Sequence, residues 1–549
     1  MVPEPELPAQ LTGVGATALG VARLRVTENA RSDRLVADPQ VTAGLVPPVA
    51  ISGAGPVGLA VALGLARAGV RSVVFEKKTQ LDPHSRATLI LPRTLEIFRQ
   101  WGVLDQLLAS GNRVPHVRLR EPGNDHQILH VNFTKLADQT AAMFALAIPQ
   151  DRTERILLDA VAATGLVEVR FDTELLGVEH DTDGVRLRIR TGDTETTKTA
   201  SYLVGADGAH SKVRGQLGIE LAGKTYPTQA LLADVRIAAA LDRTDEWPTV
   251  LNHRGIIVGI RFGDRVWRII EQAVDEHLSG TALEAHIVDI AQELFGAGPV
   301  EVIWHSVYRK HERCAGRFRY GRITLAGDAG HLNSPAGGQG MNSGIQDAHN
   351  LVWKLAAAVA APGADADALL ESYSEERTSL IRRRVQPVTD LAERFQTARP
   401  HRRVALVRTL GALFGFNRSA GAMTRRFAML DVPYEHSRLL HGRGKGLGQR
   451  VPDVLAEDGE RIYTKMVAGA VLWAGDPTRP WALAADLGLP LINGDVAALT
   501  RFFDRDHYVA LIRPDHIVGA IADPTEPDPG LFAAALGRQP TRASTLTRQ

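Results

Sequence analysis

The segment Val49-Ala50-Ile51-Ser52-Gly53-Ala54-Gly55-Pro56-Val57-Gly58 constrains the fold more than any other part of the chain. A short β-branched run leads into Gly-x-Gly-x-x-Gly, and the small-residue stretch Leu59–Ala68 reads as a helix closed by Gly69. Arg71–Phe75 reads as a second buried strand with Glu76 and Lys77 at its end. Strand, glycine loop, helix, strand and acid together predict a Rossmann-like α/β unit. In such a unit Gly53 permits the tight turn, Gly55 lets backbone approach a pyrophosphate, and Gly58 lets helix and strand pack closely. Pro56 and Val57 complete the loop, the helix N-terminus offers N–H groups to phosphates, and an acid at Glu76 can hold ribose hydroxyls.

A second glycine-rich segment lies far downstream. Arg322–Ala326 reads as a strand running into Gly327-Asp328-Ala329-Gly330-His331. Pro335-Ala336-Gly337-Gly338-Gln339-Gly340-Met341-Asn342 follows and opens a helix running to about Ala360. A nucleotide with a reactive ring at its far end can use both segments, which points to FAD and redox chemistry. Asp328 suits a polyhydroxyl chain, and the helix N-terminus suits the negative charge that reduction places on a flavin. Between them, Ser201–Ala206 leads into Asp207-Gly208-Ala209-His210-Ser211, with Arg214 beyond; this is equally readable as a capped turn or a cofactor contact.

Composition narrows the rest. A chain of 549 residues accommodates two to four domains. Lys and Arg number 63 against 62 Asp and Glu, so net charge implies no nucleic-acid partner. Cys314 is the single cysteine, which excludes internal disulfides, thiolate metal clusters and Cys-x-x-Cys redox chemistry. The N-terminus lacks a secretory pattern, and the longest apolar runs, such as Leu355–Pro362, are too short to span a bilayer. A soluble, cytoplasmic, bacterial protein is expected, with no membrane partner and no metal.

With these motifs in place, the chain resembles the single-component (group A) FAD-dependent aromatic hydroxylases. The nearest branch is that of phenol hydroxylase and the aromatic polyketide hydroxylases. Ser85-Arg86-Ala87 with Pro92-Arg93-Thr94-Leu95-Glu96, and Pro149-Gln150-Asp151-Arg152-Thr153-Glu154, add to the resemblance, which runs from Val49 to about Asp523. It implies that Gly53, Gly55 and Gly58 hold the pyrophosphate and Glu76 the adenosine ribose. Arg86 and Gln150 are implied to contact the phosphate and ribityl region, and Asp207 with Gly208 to serve FAD and pyridine-nucleotide use. Asp328 is implied on the ribityl chain, and Pro335, Gly338, Gly340, Met341 and Asn342 around the flavin. Gly330 departs from the family's usual alanine.

The resemblance also implies an organisation. Residues 49–223 and 313–398 form the FAD-binding domain, and 224–312 an inserted β-rich substrate domain. Residues 399–445 form a connector, and 446–540 a thioredoxin-like domain, here without cysteines and so a packing or oligomer-contact module. Residues 1–48 are an extension and 541–549 a tail; Thr17–Ala22 and Arg31–Pro39 resemble the start of a leucine-carboxyl-type methyltransferase, in a fragment too short for a methyl-donor site. The acid-free, arginine-rich stretch between Glu393 and Asp431 reads as a helical connector with a solvated basic face. Tyr226, Arg254, Trp267 and Trp304 are substrate-facing candidates, each also readable as core or solvated surface; no catalytic side chain stands out.

The chemistry implied is NAD(P)H-dependent flavin reduction, reaction with O2 to a C4a-hydroperoxide, and hydroxylation of a small aromatic, phenolic polyketide-like substrate. The alternatives are Baeyer–Villiger or rearranging oxygen insertion, and a flavin-binding protein without turnover. A flavin halogenase is disfavoured by the absence of Trp-x-Trp-x-Ile-Pro.

Overall fold

The computed structural model describes residues 47–82, 87–120, 127–237, 246–252, 255–263, 265–296, 298–334, 338–397, 417–431, 433–475, 478–494, 496–525 and 527–538. The expectations for the N-terminal extension before residue 47, for the tail, for residues 399–416 and 432 of the connector, and for Arg86, Arg254 and Pro335 lie outside the described residues.

The first sheet has six strands in the order Arg319–Tyr320, Ile323–Leu325, Tyr202–Gly205, Val49–Ser52, Ser72–Phe75, Val167–Arg170. All pairings are parallel except that of Arg319–Tyr320. Its short apolar strands are buried on both faces, as parallel strands under crossover helices must be. The helix Pro56–Arg67 packs against the helices Gln339–Ala360 and Gln150–Ala163. Gly64 makes the first approach possible, because a Cβ there would lie 2.9 Å from Val352 and 3.0 Å from Trp101.

The second sheet has eight strands in the order His331–Leu332, Val300–Ala315, Leu221–Ile237, Val266–Val274, Gly255–Arg261, Glu246–Asn252, His116–Arg120, Gln127–Asn132. Two of these strands come from ahead of residue 224, and Glu246–Val250 pairs in parallel with His116–Arg120. Alternation divides the two faces. Leu231, Ala233, Val235, Trp267 and Ile269 pack on Leu283, Ile287 and Ile290 of the helix Gly280–Phe295. Val258, Ile260 and Ile270 point the other way, into a cluster with Leu89 and Leu91 of the nucleotide-binding body.

A third sheet, ordered His441–Gly442, Val518–Ala522, Tyr508–Ile512, Ala470–Ala474, Leu491–Asn493, carries the helices Thr478–Leu487, Ala497–Phe503 and Pro529–Ala535. A βαβ unit followed by an antiparallel hairpin and a last helix is the thioredoxin-like arrangement. Alternate residues of Tyr508–Ile512 enter two cores, one on each face.

A buried polar cluster joins this unit to the nucleotide-binding body. Arg450 Nη1 lies 3.2 Å from Glu96, Arg93 Nη1 2.8 Å from Glu96, and Arg93 Nη2 donates to Asp515 O at 2.8 Å. Arg513 donates to both oxygens of Glu376, at 2.7 and 2.9 Å, and Lys354 Nζ sits 2.8 Å from the same carboxylate. Burial alone would raise the Glu376 carboxyl, but Arg513 and Lys354 outweigh it and hold the group well below the usual carboxylate range. Burial dominates at Lys354, bringing its ammonium down to about 8.

Candidate functional site

Three chain segments meet where the glycine motifs predicted one ligand. Gly53 turns at φ +102, and its N–H donates to Phe75 O at 2.8 Å. A Cβ on Gly53 would lie 2.5 Å from Ala206 O, so this turn touches the Asp207 segment directly. A Cβ on Gly58 would lie 1.9 Å from Gly53 O, so only glycine closes helix onto loop there. Val57 is the hub, since Cβ atoms on Gly327 and Gly344 would fall 2.8 and 2.5 Å from its Cγ2.

Gly55 and Gly340 behave differently, with no atom of the described residues within 4 Å of an added Cβ. Gly55 caps the helix Pro56–Arg67 and Gly338, at φ +68, caps Gln339–Ala360; neither helix start has a side-chain cap. Two helix N-termini without side-chain caps among the described residues thus present glycine backbone, a cradle suited to a ligand with anionic and electron-accepting parts.

Buried charges hold the second turn. Asp347 Oδ2 accepts from Gly327 N–H at 3.0 Å and lies 2.6 Å from His331 Nε2, while Arg377 Nε donates to Asp347 Oδ1 at 2.6 Å. All three side chains are fully buried. Burial opposes ionisation of Asp347, yet Arg377 and His331 keep it ionised below the ordinary range. Sequence reading ended the second glycine motif at Asp347 without giving it a role, and missed Arg377, because nothing local marks a carboxylate whose partners lie 20 and 30 residues away.

The predicted side chains differ in exposure and in the protein groups they meet. Glu76 is half-buried; Oε2 accepts from Ala54 N–H at 2.8 Å and Oε1 from Lys78 N–H at 3.0 Å, each oxygen retaining a second lone pair. Lys77 is exposed. Asp328 is exposed at the head of its turn. Asp207 caps the helix Lys212–Gln216, accepting from Ser211 Oγ at 2.5 Å and from Lys212 N–H at 2.8 Å. Arg214 bridges two motifs by donating to Ala209 O at 2.7 Å and Ala329 O at 3.1 Å. Gly208 sits at φ +79 beside open space. Asn342 is fully buried; it accepts from Leu91 N–H at 2.9 Å and donates to Leu89 O and Gly338 O, so its side chain stitches the helix start to the strand Leu89–Ile90. Met341 is partly buried against the core.

On the substrate sheet the aromatic candidates part company. Trp267 is corrected to a core residue: its ring centroid lies 4.8 Å from that of Phe295, on the helix-covered face. Strand alternation places 268, 270 and 272 on the opposite face, turned toward Leu89 and Leu91. Trp304 lies beside Arg268, whose guanidinium is 5.5 Å from its ring and pairs with Asp234 at 2.7 Å. Tyr226 is buried, with its hydroxyl donating to Glu312 and to Asp390 at the helix Gln386–Thr397. Sequence reading missed a further group. Buried Lys310 donates to Glu393 Oε2 at 2.5 Å and to Gln272 O at 2.6 Å, and Ser334 Oγ donates to Glu393 Oε1 at 2.5 Å. The carbonyl oxygen of the Gln272 side chain is buried without a hydrogen-bond partner among the described residues.

Among the described residues no His, Cys, Asp and Glu group is arranged for a metal ion, and no helix is long and apolar enough to cross a membrane.

Residues 47–388 match the protein family described as FAD binding domain. A flavin-dependent monooxygenase of Mycobacteroides abscessus is 32% identical over 501 residues, covering 86% of this chain and 97% of that protein. The dialkyldecalin synthase of Streptomyces rugosporus is 31% identical over 502 residues, covering 88% and 97%. The solved ternary complex of aklavinone-11 hydroxylase with FAD and aklavinone aligns with a TM-score of 0.73 at 26% identity, over 90% of this chain and 99% of that one. The cradle of glycines and helix N-termini and the matched family point to the same cofactor, and the chain belongs to the FAD binding domain family, among its flavin-dependent aromatic monooxygenases.

Proposed function

We propose that the protein is an NAD(P)H-consuming, FAD-dependent hydroxylase of a fused phenolic ring of the polyketide kind. The observation that carries this reading is the contrast among the motif glycines. Gly53, Gly58, Gly327 and Gly344 are packed against protein, whereas Gly55 and Gly340, at two helix N-termini, meet no atom of the described residues with an added Cβ.

In this reading Gly53, Gly55 and Gly58 with the Pro56–Arg67 helix start hold the diphosphate. Glu76 takes ribose hydroxyls on its remaining lone pairs, and Asp328 holds the ribityl hydroxyls. Arg86 and Gln150 reach the phosphate and ribityl region. The main-chain N–H groups at Gly340, Met341 and Asn342 meet the pyrimidine edge, where the helix end offsets negative charge. When bound, FAD supplies the electron-transfer and O2 chemistry. The chain orients the ring, excludes water and places buried dipoles. Val258, Ile260 and Ile270 supply an apolar wall, and Gln272 offers its unpartnered carbonyl to a substrate hydroxyl.

The kinship to aklavinone-11 hydroxylase supports the fused-ring substrate. The kinship to dialkyldecalin synthase supports a second reading, in which bound flavin serves a reaction without net oxygen insertion. Purified protein with FAD is assayed for NAD(P)H oxidation under air with a panel of phenolic polyketides. Substrate-stimulated NAD(P)H loss and a product heavier by one oxygen uphold the hydroxylase. Retained flavin without NAD(P)H consumption by any member favours the second reading. An oxygen placed within a ring favours Baeyer–Villiger insertion.

A further inference from the structure

Among the described residues, three side-chain amide oxygens are buried without a hydrogen-bond partner: Gln272 Oε1, Asn333 Oδ1 and Gln346 Oε1. An amide oxygen can only accept, so none of them can satisfy itself by turning a proton toward a neighbour, as a hydroxyl can. An acceptor left unpaired in the interior is costly, and each one retained calls for a donor from elsewhere. Gln346 lies beside Met429, whose sulfur is 3.6 Å from its Nε2. The other two belong to one polar chain.

Asn333 follows the edge strand His331–Leu332 of the second sheet. Asp347 Oδ2 accepts from His331 Nε2 at 2.6 Å, and in the neutral ring Nδ1 then accepts from Asn333 Nδ2 at 3.2 Å. That contact turns Asn333 Oδ1 away from the histidine. The next residue, Ser334, donates to Glu393 Oε1 at 2.5 Å. Glu393 Oε2 accepts from Lys310 Nζ at 2.5 Å, and Lys310 also donates to Gln272 O at 2.6 Å. Lys310 thereby reaches across the strand Leu221–Ile237, whose register shifts between Thr225 and Gln229. Gln272 is 7% exposed and shares a strand face with Ile270, which packs with Leu89 and Leu91. The two orphaned acceptors thus stand at the ends of a chain that ties the segment after the Asp328 turn to the substrate sheet.

We infer that Gln272 and Asn333 are specificity-determining residues: their oxygens accept from free hydroxyls on the aromatic substrate, and the site discriminates against the corresponding methyl ethers. The inference rests on the aromatic-substrate reading above. An ether has no proton to donate and leaves both oxygens unpaired, which is expected to cost about tenfold in affinity for each. Lys310 and Glu393 are positioning residues that fix the Gln272 main chain relative to Ser334.

The test uses FAD-loaded protein without NAD(P)H, and two probes, a dihydroxynaphthalene and a dihydroxyanthraquinone, each beside its dimethyl ether. Binding is followed by the change in flavin absorbance. The wild type is expected to favour each free phenol over its ether by about a hundredfold. Gln272→Met, close in volume but without the acceptor, is expected to reduce this to about tenfold by weakening the phenol alone. Gln346→Met, which removes the orphaned oxygen outside the chain, is expected to keep the full preference. An undiminished preference in Gln272→Met overturns the role. Melts without probe give a second readout: losing an acceptor that has no donor is expected to leave Tm unchanged or raise it by up to about 2 °C. A lower Tm marks the amide as structural and also overturns the role. If neither phenol perturbs the wild-type flavin, the fused-phenol reading fails and the inference with it. Phenols and ethers bound equally well leave that reading standing and remove only the role of Gln272 and Asn333.

Discussion

Adding a single methyl at two neighbouring helix glycines separates ligand space from packing space. A Cβ at Gly344 would lie 2.5 Å from Val57 Cγ2 and 3.2 Å from Gly327 Cα. The first distance lies far inside van der Waals contact, and the second neighbour is backbone that cannot rotate away. Gly344→Ala therefore belongs at the upper end of overpacking costs, about 3 kcal/mol. Gly340 sits in the first turn of the same helix, with no atom of the described residues within 4 Å of an added Cβ. Gly340→Ala is expected to leave the apoprotein as stable as the wild type, or more stable by up to about 1 kcal/mol from reduced backbone freedom. If FAD occupies that space, the same methyl weakens its binding at least about tenfold, or about 1.4 kcal/mol. Apoprotein melts and FAD titrations of both variants give the four values needed. A Gly340→Ala protein that binds FAD as tightly as the wild type refutes the cradle.

Other expectations follow from single contacts. Asp347→Asn leaves the Arg377 charge buried without its anion; a loss of about 3–5 kcal/mol is expected by denaturant unfolding, together with weaker FAD binding. Glu154→Gln is expected to raise stability at pH 8 but not at pH 4. A carboxyl lifted from 4.5 to about 7 by folding stabilises fully below 4.5 and loses about 3 kcal/mol as pH rises through 7, so melts compared at the two pH values check the sign. Lys310→Met removes the cation that holds Glu393 and is expected to raise KM for the aromatic substrate while leaving the FAD Kd within about twofold, a change worth less than 0.5 kcal/mol. Cys314 is buried and its thiol is pushed up to about 11 by burial, so thiol reagents at pH 8 are expected to label it only after denaturation.

What was legible in the chain was local. The first strand, glycine turn, helix and acid follow from residues within thirty positions of one another, and the observed Pro56–Arg67 and Ser72–Phe75 lie where the pattern placed them. The helix expected to open with the second glycine segment and run to about Ala360 is observed as Gln339–Ala360. What was not legible depended on distant partners. Alternation showed that Trp267 faces one side of its strand, but not that this side carries the helix Gly280–Phe295 instead of the flavin. The strands His116–Arg120 and Gln127–Asn132 join the second sheet through pairings that no local pattern announces. Arg93 and Glu96 drew notice through a motif, yet they meet Arg450, Asp515 and His516, more than 350 residues away. Glu154 was quoted beside Gln150, but its burial depends on helices brought together only by folding.

The buried cluster between the nucleotide-binding body and the thioredoxin-like unit bears on how such proteins can be recombined. Arg450 and Arg513 are buried cations whose counter-charges include Glu96 and Glu376, both in the other body. A carboxy-terminal unit joined to a body lacking Glu96 and Glu376 would leave Arg450 with the Tyr463 hydroxyl and main-chain carbonyls and Arg513 with Asp515 alone, at a cost of several kcal/mol. The seam acts as a lock and key between modules. Viable chimeras should therefore be those whose crossover points carry both halves of each pair, even though none of these residues lines the glycine cradle.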